Sequence, residues 1–321
     1  MNKENQNAMA KVQKYILGFD IGGTKTSLIL GNFSGKILDK ITFPTLAGEG
    51  FKKSFSNIKS NAAQYKESLE KQGFKIDSLS VSIGGPLKIE EGIILSPPNL
   101  PGWDNIPLKK LLEKEFGTEC FIEHDGNAGA LAEFYFGAGK GYKNVIFLTM
   151  GTGIGAGIIL NGNIFRGSSD TAGEIGHIRI AEDGPKAYGK KGSFESYASG
   201  TGIAKLAHLH FPAIYGRNVT AKDVIEDFKK GTREAKYIIN LSAKFFGRGL
   251  AILADLLNPE IIIIGSLAVR MGDSLLIPAL KEMKKESLDE TYKRCKVVPS
   301  LLGETIGDVA SLCAAINRGK K

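Results

Sequence analysis

The stretch Asp20-Ile21-Gly22-Gly23-Thr24-Lys25 follows the apolar run Tyr15 to Phe19, and it has an echo in Gly151-Thr152-Gly153-Ile154-Gly155 after Val145 to Leu148. In both places a strand breaks into a glycine turn and an apolar, β-branched run returns from it. Glycine lets backbone N–H groups approach an anion with no side chain in the way, so the pattern predicts two copies of a phosphate-gripping hairpin. Two such loops in one chain point to a clamp for nucleotide phosphates.

Two other glycine-loop readings fail on the flanking residues. Gly151, Gly153 and Ala156 satisfy the spacing of a dinucleotide-binding fingerprint, but that motif requires a helix directly after the turn. Here Ala156 to Leu160 is an apolar run entering the turn signal Asn161-Gly162, which is a strand in a hairpin. A Walker loop needs lysine where Thr24 stands.

Working outward, Tyr15 to Phe19, Thr26 to Leu30 and Ile37 to Phe43 read as three meandering strands. The residues Phe51, Phe55, Ile58, Ala62, Tyr65 and Leu69 recur at helical spacing, and Gly73 ends that helix. Leu79 to Ile83 is a strand closing on Gly84-Gly85-Pro86. The order then restarts with strands Val145 to Leu148, Ala156 to Leu160 and Asn163 to Phe165, an internal repeat of architecture and not of identity. Two such repeats place the glycine loops face to face across a cleft, where ligands bind.

Composition limits the alternatives. The chain has 321 residues, 42% of them hydrophobic, enough for roughly two domains with cores of their own. A net charge of +8 comes from dispersed lysines with short pairs such as Lys52-Lys53 and Lys284-Lys285, which reads as a solvated surface and gives no nucleic-acid partner. Cys120, Cys295 and Cys313 have no CxxC spacing and read as small buried hydrophobes in a reducing compartment. No stretch approaches the roughly 20 apolar residues of a membrane span. Met1 to Lys14 is polar, without the apolar centre of a signal peptide, so a flexible tail, no membrane and a cytoplasmic location are expected.

Three clusters carry chemistry. Asp20 precedes the first loop and Lys25 ends it; beside phosphates, an aspartate can hold Mg²⁺ through water and a lysine can neutralise charge. Asp125, in Glu123-His124-Asp125-Gly126-Asn127, starts an apolar helix ended by Gly137 and Gly139. It reads either as an N-cap or as a carboxylate, favoured by the helix dipole, that accepts the proton of an attacking hydroxyl. Glu174 and His177, then Glu195 behind its cap Ser193, bracket a glycine-rich excursion and suit sugar hydroxyls.

The ordered set DIGGTK (20–25), PPNLPGW (97–103), HDGNAGALAE (124–133), LTMGTGIGAGII (148–159), AGEIGH (172–177) and GSFESYASG (192–200) resembles the ROK family of sugar kinases and sugar-responsive repressors, from Tyr15 to the C-terminal helix. The resemblance implies an α/β, two-lobed, actin-like or hexokinase-like (ribonuclease H-like) fold, with duplicated mixed-sheet lobes around a cleft. The expected division is a small lobe of 15–120 joined by the C-terminal helix 303–321, and a large lobe of 121–302. The resemblance also implies ATP with Mg²⁺ and transfer of the γ-phosphate to a hexose. Asp125 matches the catalytic base, and Asn99, Glu174, His177 and Glu195 match the sugar site, to which His124 beside Asp125 is added as an expected sugar contact. Asp20, Gly22, Gly23, Thr24 and Lys25 match one phosphate site, with Asp20 reaching Mg²⁺ through water. Gly151, Thr152, Gly153 and Gly155 match the other, and Gly265-Ser266 after Ile261 to Ile264 matches the adenosine motif.

This chain departs from the family pattern at three places. The family usually shows two glycines where Gly265-Ser266 stands. It often has asparagine at the position of His124. It typically carries a C-x-C-G-x-x-G-C loop that binds structural zinc with the histidine of AGEIGH, whereas Gly184 to Ser193 here contains no cysteine. His177 alone cannot supply the four ligands zinc takes, so no zinc is expected. Glucokinase activity on the 6-hydroxyl is the leading expectation, ahead of an N-acetylmannosamine, N-acetylglucosamine or fructose kinase and of a non-catalytic sugar sensor. The repressor branch needs a DNA-binding module before the first loop, and the residues before Tyr15 are too few for one. The expected partners are the hexose and ATP, in a homodimer or homotetramer.

Overall fold

The computed structural model describes residues 14–320. The expected tail, Met1 to Lys14, lies outside the described residues except for Lys14, whose Nζ pairs with Asp77.

The first half begins with the expected meander: β1 (Tyr15–Ile21), β2 (Lys25–Asn32) and β3 (Ile37–Pro44), each antiparallel to the next. Helix α1 (Phe51–Lys71) buries Ile58, Ala62, Tyr65 and Leu69, the stripe its spacing predicts. It returns the chain to β4 (Ile76–Ile83), parallel to β1. A short hairpin, β5 (Leu87–Lys88) with β6 (Ile93–Ile94), and α2 (Leu108–Phe116) lead to β7 (Cys120–His124), parallel to β4. The sheet order is β3-β2-β1-β4-β7. The division expected after residue 120 therefore cuts into β7, which pairs in the first sheet.

After α3 (Asp125–Phe136) the same topology is built again. Strands β8 (Val145–Met150), β9 (Ile154–Leu160) and β10 (Asn163–Phe165) form the second meander. A small hairpin, β11 (Lys186–Ala187) with β12 (Lys190–Lys191), precedes α4 (Phe194–Ala198), α5 (Gly200–His210), α6 (Ala221–Lys229) and the long α7 (Arg233–Leu257). Then β13 (Ile261–Ile264) pairs parallel to β8. Helices α8 (Leu267–Met271), α9 (Asp273–Glu286) and α10 (Asp289–Arg294), β14 (Lys296–Pro299) and α11 (Ile306–Arg318) close the chain. The order β10-β9-β8-β13-β14 repeats that of the first sheet strand for strand.

Two helices lie between the sheets. Leu312, Ala315 and Ile316 of α11 pack on Ile16 and Ile29 of the first sheet, while Ala128, Ala130 and Leu131 of α3 pack with Val145, Phe147 and Ile159 of the second. α11 also joins α3 through Val309, Ala310 and Cys313. The outer faces are covered by α1 and α2 on one side and by α4 to α9 on the other, each over its own apolar core. All three cysteines are free and buried, and burial pushes their thiols above the usual range. Among the described residues no helix is long and apolar enough to cross a membrane.

Candidate active site

In a parallel-type sheet, ligands collect beyond the carboxyl ends of the strands, and both glycine hairpins sit at such ends. In the first, Gly22 N–H donates to the Lys25 carbonyl (3.1 Å), and the hydroxyl of Thr45 donates to the Gly22 carbonyl (2.6 Å). Gly23 is required by a close approach: a Cβ there would stand 2.5 Å from the backbone oxygen of Asn99. The segment carrying Asn99 is anchored by Trp103, fully buried and edge-on to Phe51 at 5.2 Å. The first loop and Asn99 are thus one packed unit.

Asp20, one residue before the end of β1, stands in a crowded place. Burial first, then the charges of Asp125 and Asp308, push its carboxyl up to about 6, against the pull of Lys40 and Lys25. Lys40 itself is paired with Asp308 at 2.5 Å. A dication would relieve this clustering of acids, so the residues present fit Mg²⁺, with Asp20 as its holder.

The turn that carries Asp125 runs from β7 into α3. His124 has extended backbone and is the N-cap, its Nδ1 accepting from Gly126 N–H at 3.3 Å. The alternative in which Asp125 is the cap is therefore corrected: the strand geometry reaches one residue further, and Asp125 is the first residue inside the helix. Its Oδ1 accepts from the adjacent Gly126 N–H (2.7 Å), and its side chain is 56% exposed, open to a substrate. Beneath this turn Glu123 is buried. It accepts from Asn127 Nδ2 (3.0 Å) and from the His124 amide (3.2 Å), and it is ion-paired with Arg166. Sequence reasoning gave no role to Arg166, because its partner lies far away in the chain and neither residue belongs to a local pattern.

The second hairpin is held differently. Gly151 N–H donates to the Gly153 carbonyl (3.0 Å), while the first amides of α5, Gly200 and Thr201, donate to the carbonyls of Gly151 and Thr152 at 2.8 and 3.1 Å. Glu195 accepts from Ile154 N–H at 3.2 Å, and a Cβ on Gly153 would meet its Oε2 at 2.6 Å. Glu195 follows its cap Ser193, as its sequence context predicts.

Glu174 precedes a short turn of 3-10 helix, Ile175–His177. The His177 ring lies face to face with Tyr188, centroids 3.5 Å apart, and the Tyr188 hydroxyl donates to Glu195 Oε2 at 2.6 Å. Among the described residues no group of three or more His, Cys, Asp or Glu side chains is placed to hold a metal ion. Beside His177 stands a tyrosine ring instead of further ligands, so the residues present do not fit a zinc site.

These parts enclose a cleft of about 360 Å³. Its wall brings together Gly22, Gly23, Asn99, His124, Asp125 and Glu174, with Gly151, Thr152, Gly153, Gly155 and Ser266. Asp20, Thr24, Lys25, His177, Glu195 and Gly265 are not on that wall; Asp20 and Glu195 act on it through Asp125 and Ile154. Gly84, Gly85 and Thr149 line it without having been singled out; the glycines were visible only as the end of a strand. Gly265 donates to the Leu148 carbonyl (2.9 Å), and Ser266 adopts φ +45°, a left-handed conformation that glycine takes more readily.

The ROK family model matches residues 16–316. The chain is 33% identical over 308 residues to a glucokinase of Halalkalibacterium halodurans, covering 92% of each. Its fold is similar to a ROK hexokinase from Thermus thermophilus (TM-score 0.82, 28% identity, 96% of this chain and 100% of that one). It is also similar to a ROK family glucokinase from Streptomyces griseus in complex with glucose and AMPPNP (TM-score 0.78, 29% identity, 95% and 99%). The two repeated sheets around one cleft are the two-lobed, actin-like architecture.

Proposed function

Because the chain belongs to the ROK family, we propose that the cleft transfers the γ-phosphoryl group of ATP to the 6-hydroxyl of glucose. The protein is an ATP-dependent sugar kinase. The observation that carries the substrate reading is the position of the Asp125 carboxylate, exposed on the wall that also holds both glycine loops, Asn99 and Glu174. The glucokinase relatives support glucose as the acceptor.

In this reading the sugar hydroxyls bond Asn99, His124 and Glu174, with His177 and Glu195 behind them. Asp125 takes the proton of the 6-hydroxyl as its oxygen bonds the γ-phosphorus, the bridging bond to ADP breaks, and ADP carries away the electron pair. Within the second hairpin the N–H groups of Gly151, Ile154 and Gly155 are taken up by internal bonds, so the amides of Thr152 and Gly153 face the phosphates, and Lys25 adds positive charge. Asp20 would hold Mg²⁺ through water, and the ion would supply positive charge against the phosphates. Ser266, on the cleft wall, faces the adenosine, with Gly265 behind it. Closure of the lobes over the cleft excludes water and limits ATP hydrolysis. A homodimer or homotetramer in the cytoplasm completes the proposal, and light scattering at working concentration measures the assembly.

The test is an ADP-release assay across glucose, N-acetylglucosamine, N-acetylmannosamine, mannose and fructose. Glucose is expected to give the highest kcat/KM; a flat response to all sugars would favour a sugar sensor. Asp125→Ala should retain glucose binding and lose on the order of 10²- to 10⁴-fold in turnover. Near-normal turnover removes Asp125 from its role.

A further inference from the structure

The hairpin that stands where the family's metal loop would be has an unusual turn. Ala187 pairs with Lys190, leaving Tyr188 and Gly189 as the two central residues, with φ of +53° and +72°. Two positive φ values in succession suit Asn-Gly or Gly-Gly, and a bulky aromatic residue disfavours the first of them. Tyr188 is also 44% exposed, so burial of its ring in a core is not the reason for its presence.

What the ring touches supplies the reason. One face covers the imidazole of His177, with centroids at 3.5 Å and planes inclined by 22°. The hydroxyl donates to Glu195 Oε2 at 2.6 Å, and that same oxygen accepts from Ile154 N–H of the second glycine hairpin. Burial, then Glu195 and Glu174, push the Tyr188 hydroxyl above its ordinary range, so it stays a donor at neutral pH. A structural zinc bound to His177 would hold that ring and its loop at a fixed angle. Tyr188 restrains the ring by stacking and restrains the glutamate by a charge-assisted hydrogen bond.

We propose that Tyr188 is a positioning residue that does the work of a structural metal: it clamps His177 and Glu195 together and ties the sugar side of the cleft to the second phosphate hairpin. This rests on the sugar-kinase reading of the site. Removing the clamp loosens the sugar site, while the second phosphate hairpin keeps its own Gly151 to Gly153 bond and its bonds from α5, so the nucleotide site and the chemistry of Asp125 stay in place.

Two variants test it. Tyr188→Phe keeps the stack and loses the hydroxyl; its KM for glucose should rise about tenfold. Tyr188→Gly loses both and accepts the positive φ; its KM for glucose should rise on the order of 100-fold, with melting temperature unchanged or higher. In both, KM for ATP and kcat should stay within about twofold of the parent. A glucose KM that stays near the parent value in Tyr188→Gly overturns the proposal. So does an equal rise in both KM values, or a fall in melting temperature that tracks the KM of Tyr188→Phe. A stoichiometric zinc that survives dialysis also overturns it.

A second readout separates this from the kinase reading. The protein has 4 histidines, so the ring resonances are resolvable by NMR, and that of His177 should be displaced by the tyrosine ring current and return to an ordinary position in Tyr188→Gly. A parent protein that phosphorylates no hexose but loses that displacement in the variant refutes the kinase reading and keeps the clamp. A parent that phosphorylates glucose and shows no displacement keeps the kinase and refutes the clamp.

Discussion

In the first glycine hairpin the last residue pair before the loop is Ile21 with Thr26, and in the second it is Met150 with Ile154. Counting back one position, Asp20 and Thr149 hold the same place in the two repeats. Asp20 is a carboxylate crowded by Asp125 and Asp308. Thr149 is a neutral hydroxyl that accepts from Gly155 N–H at 3.2 Å and closes its own hairpin. In the proposed kinase one backbone solution serves two tasks: the first loop would bring charge to the cleft, and the second, braced from behind by Glu195 and α5, would bring backbone donors. Duplication of the strand order supplied the frame, and single side chains at equivalent positions divided the work.

The largest effect that would break this comparison comes from Asp20→Asn, which makes that position as neutral as Thr149 in the second hairpin. Apparent affinity for Mg²⁺ should weaken by about 10- to 100-fold, read from a magnesium titration of turnover. The same variant should be more stable. The Asp20 carboxyl is raised from 3.8 to about 6 in the folded protein, so folding favours its protonated form, and stability falls as pH rises from about 4 to about 6. At pH 7 that is a penalty of about 3 kcal/mol, which asparagine removes. Denaturant unfolding of both proteins at pH 4 and pH 7 should show the gap at the higher pH and its near disappearance at the lower. A gap of the same size at both values would show that the crowding of charges around Asp20 is not its source.

A smaller effect sharpens the comparison. Alanine at Gly23 drives a methyl against the Asn99 backbone, whereas alanine at Gly153 meets the tip of the Glu195 side chain, which can shift only by weakening its bonds from Tyr188 and Ile154. Gly23→Ala should therefore cost about 1–3 kcal/mol of stability and raise the KM for glucose through Asn99. Gly153→Ala should cost less, about 1 kcal/mol, through the weakened bonds of Glu195. Equal losses would mean that both loops are packed alike. The smallest effect belongs to Ser266, whose φ of +45° strains a residue with a side chain. Ser266→Gly should raise stability by about 1 kcal/mol or less, measured by thermal unfolding.

Much of this architecture was legible from residue order. Helix α1 begins and ends where its apolar spacing and Gly73 place it, and the six strands of the two meanders were located to within a few residues. Those signals are short-range: side-chain alternation, turn glycines and helical spacing all act within one element. The cap of α3 shows the limit, because the change from strand to helix depends on how far β7 pairs with β4, through Ile83 and His124.

By itself the sequence determined the duplicated hairpins, the helix opening on Asp125 and the absence of cysteines beside His177, since each is a matter of residue type at close spacing. Only the tertiary structure decided what surrounds them. The raised carboxyl of Asp20, the Glu123 and Arg166 pair under the turn that carries Asp125, and the Tyr188 ring on His177 each need groups from separate elements to meet. Burial, charge proximity and stacking depend on distance in space. The glycine loops could be read from their neighbours in the chain, and the side chains that tell the two loops apart could not.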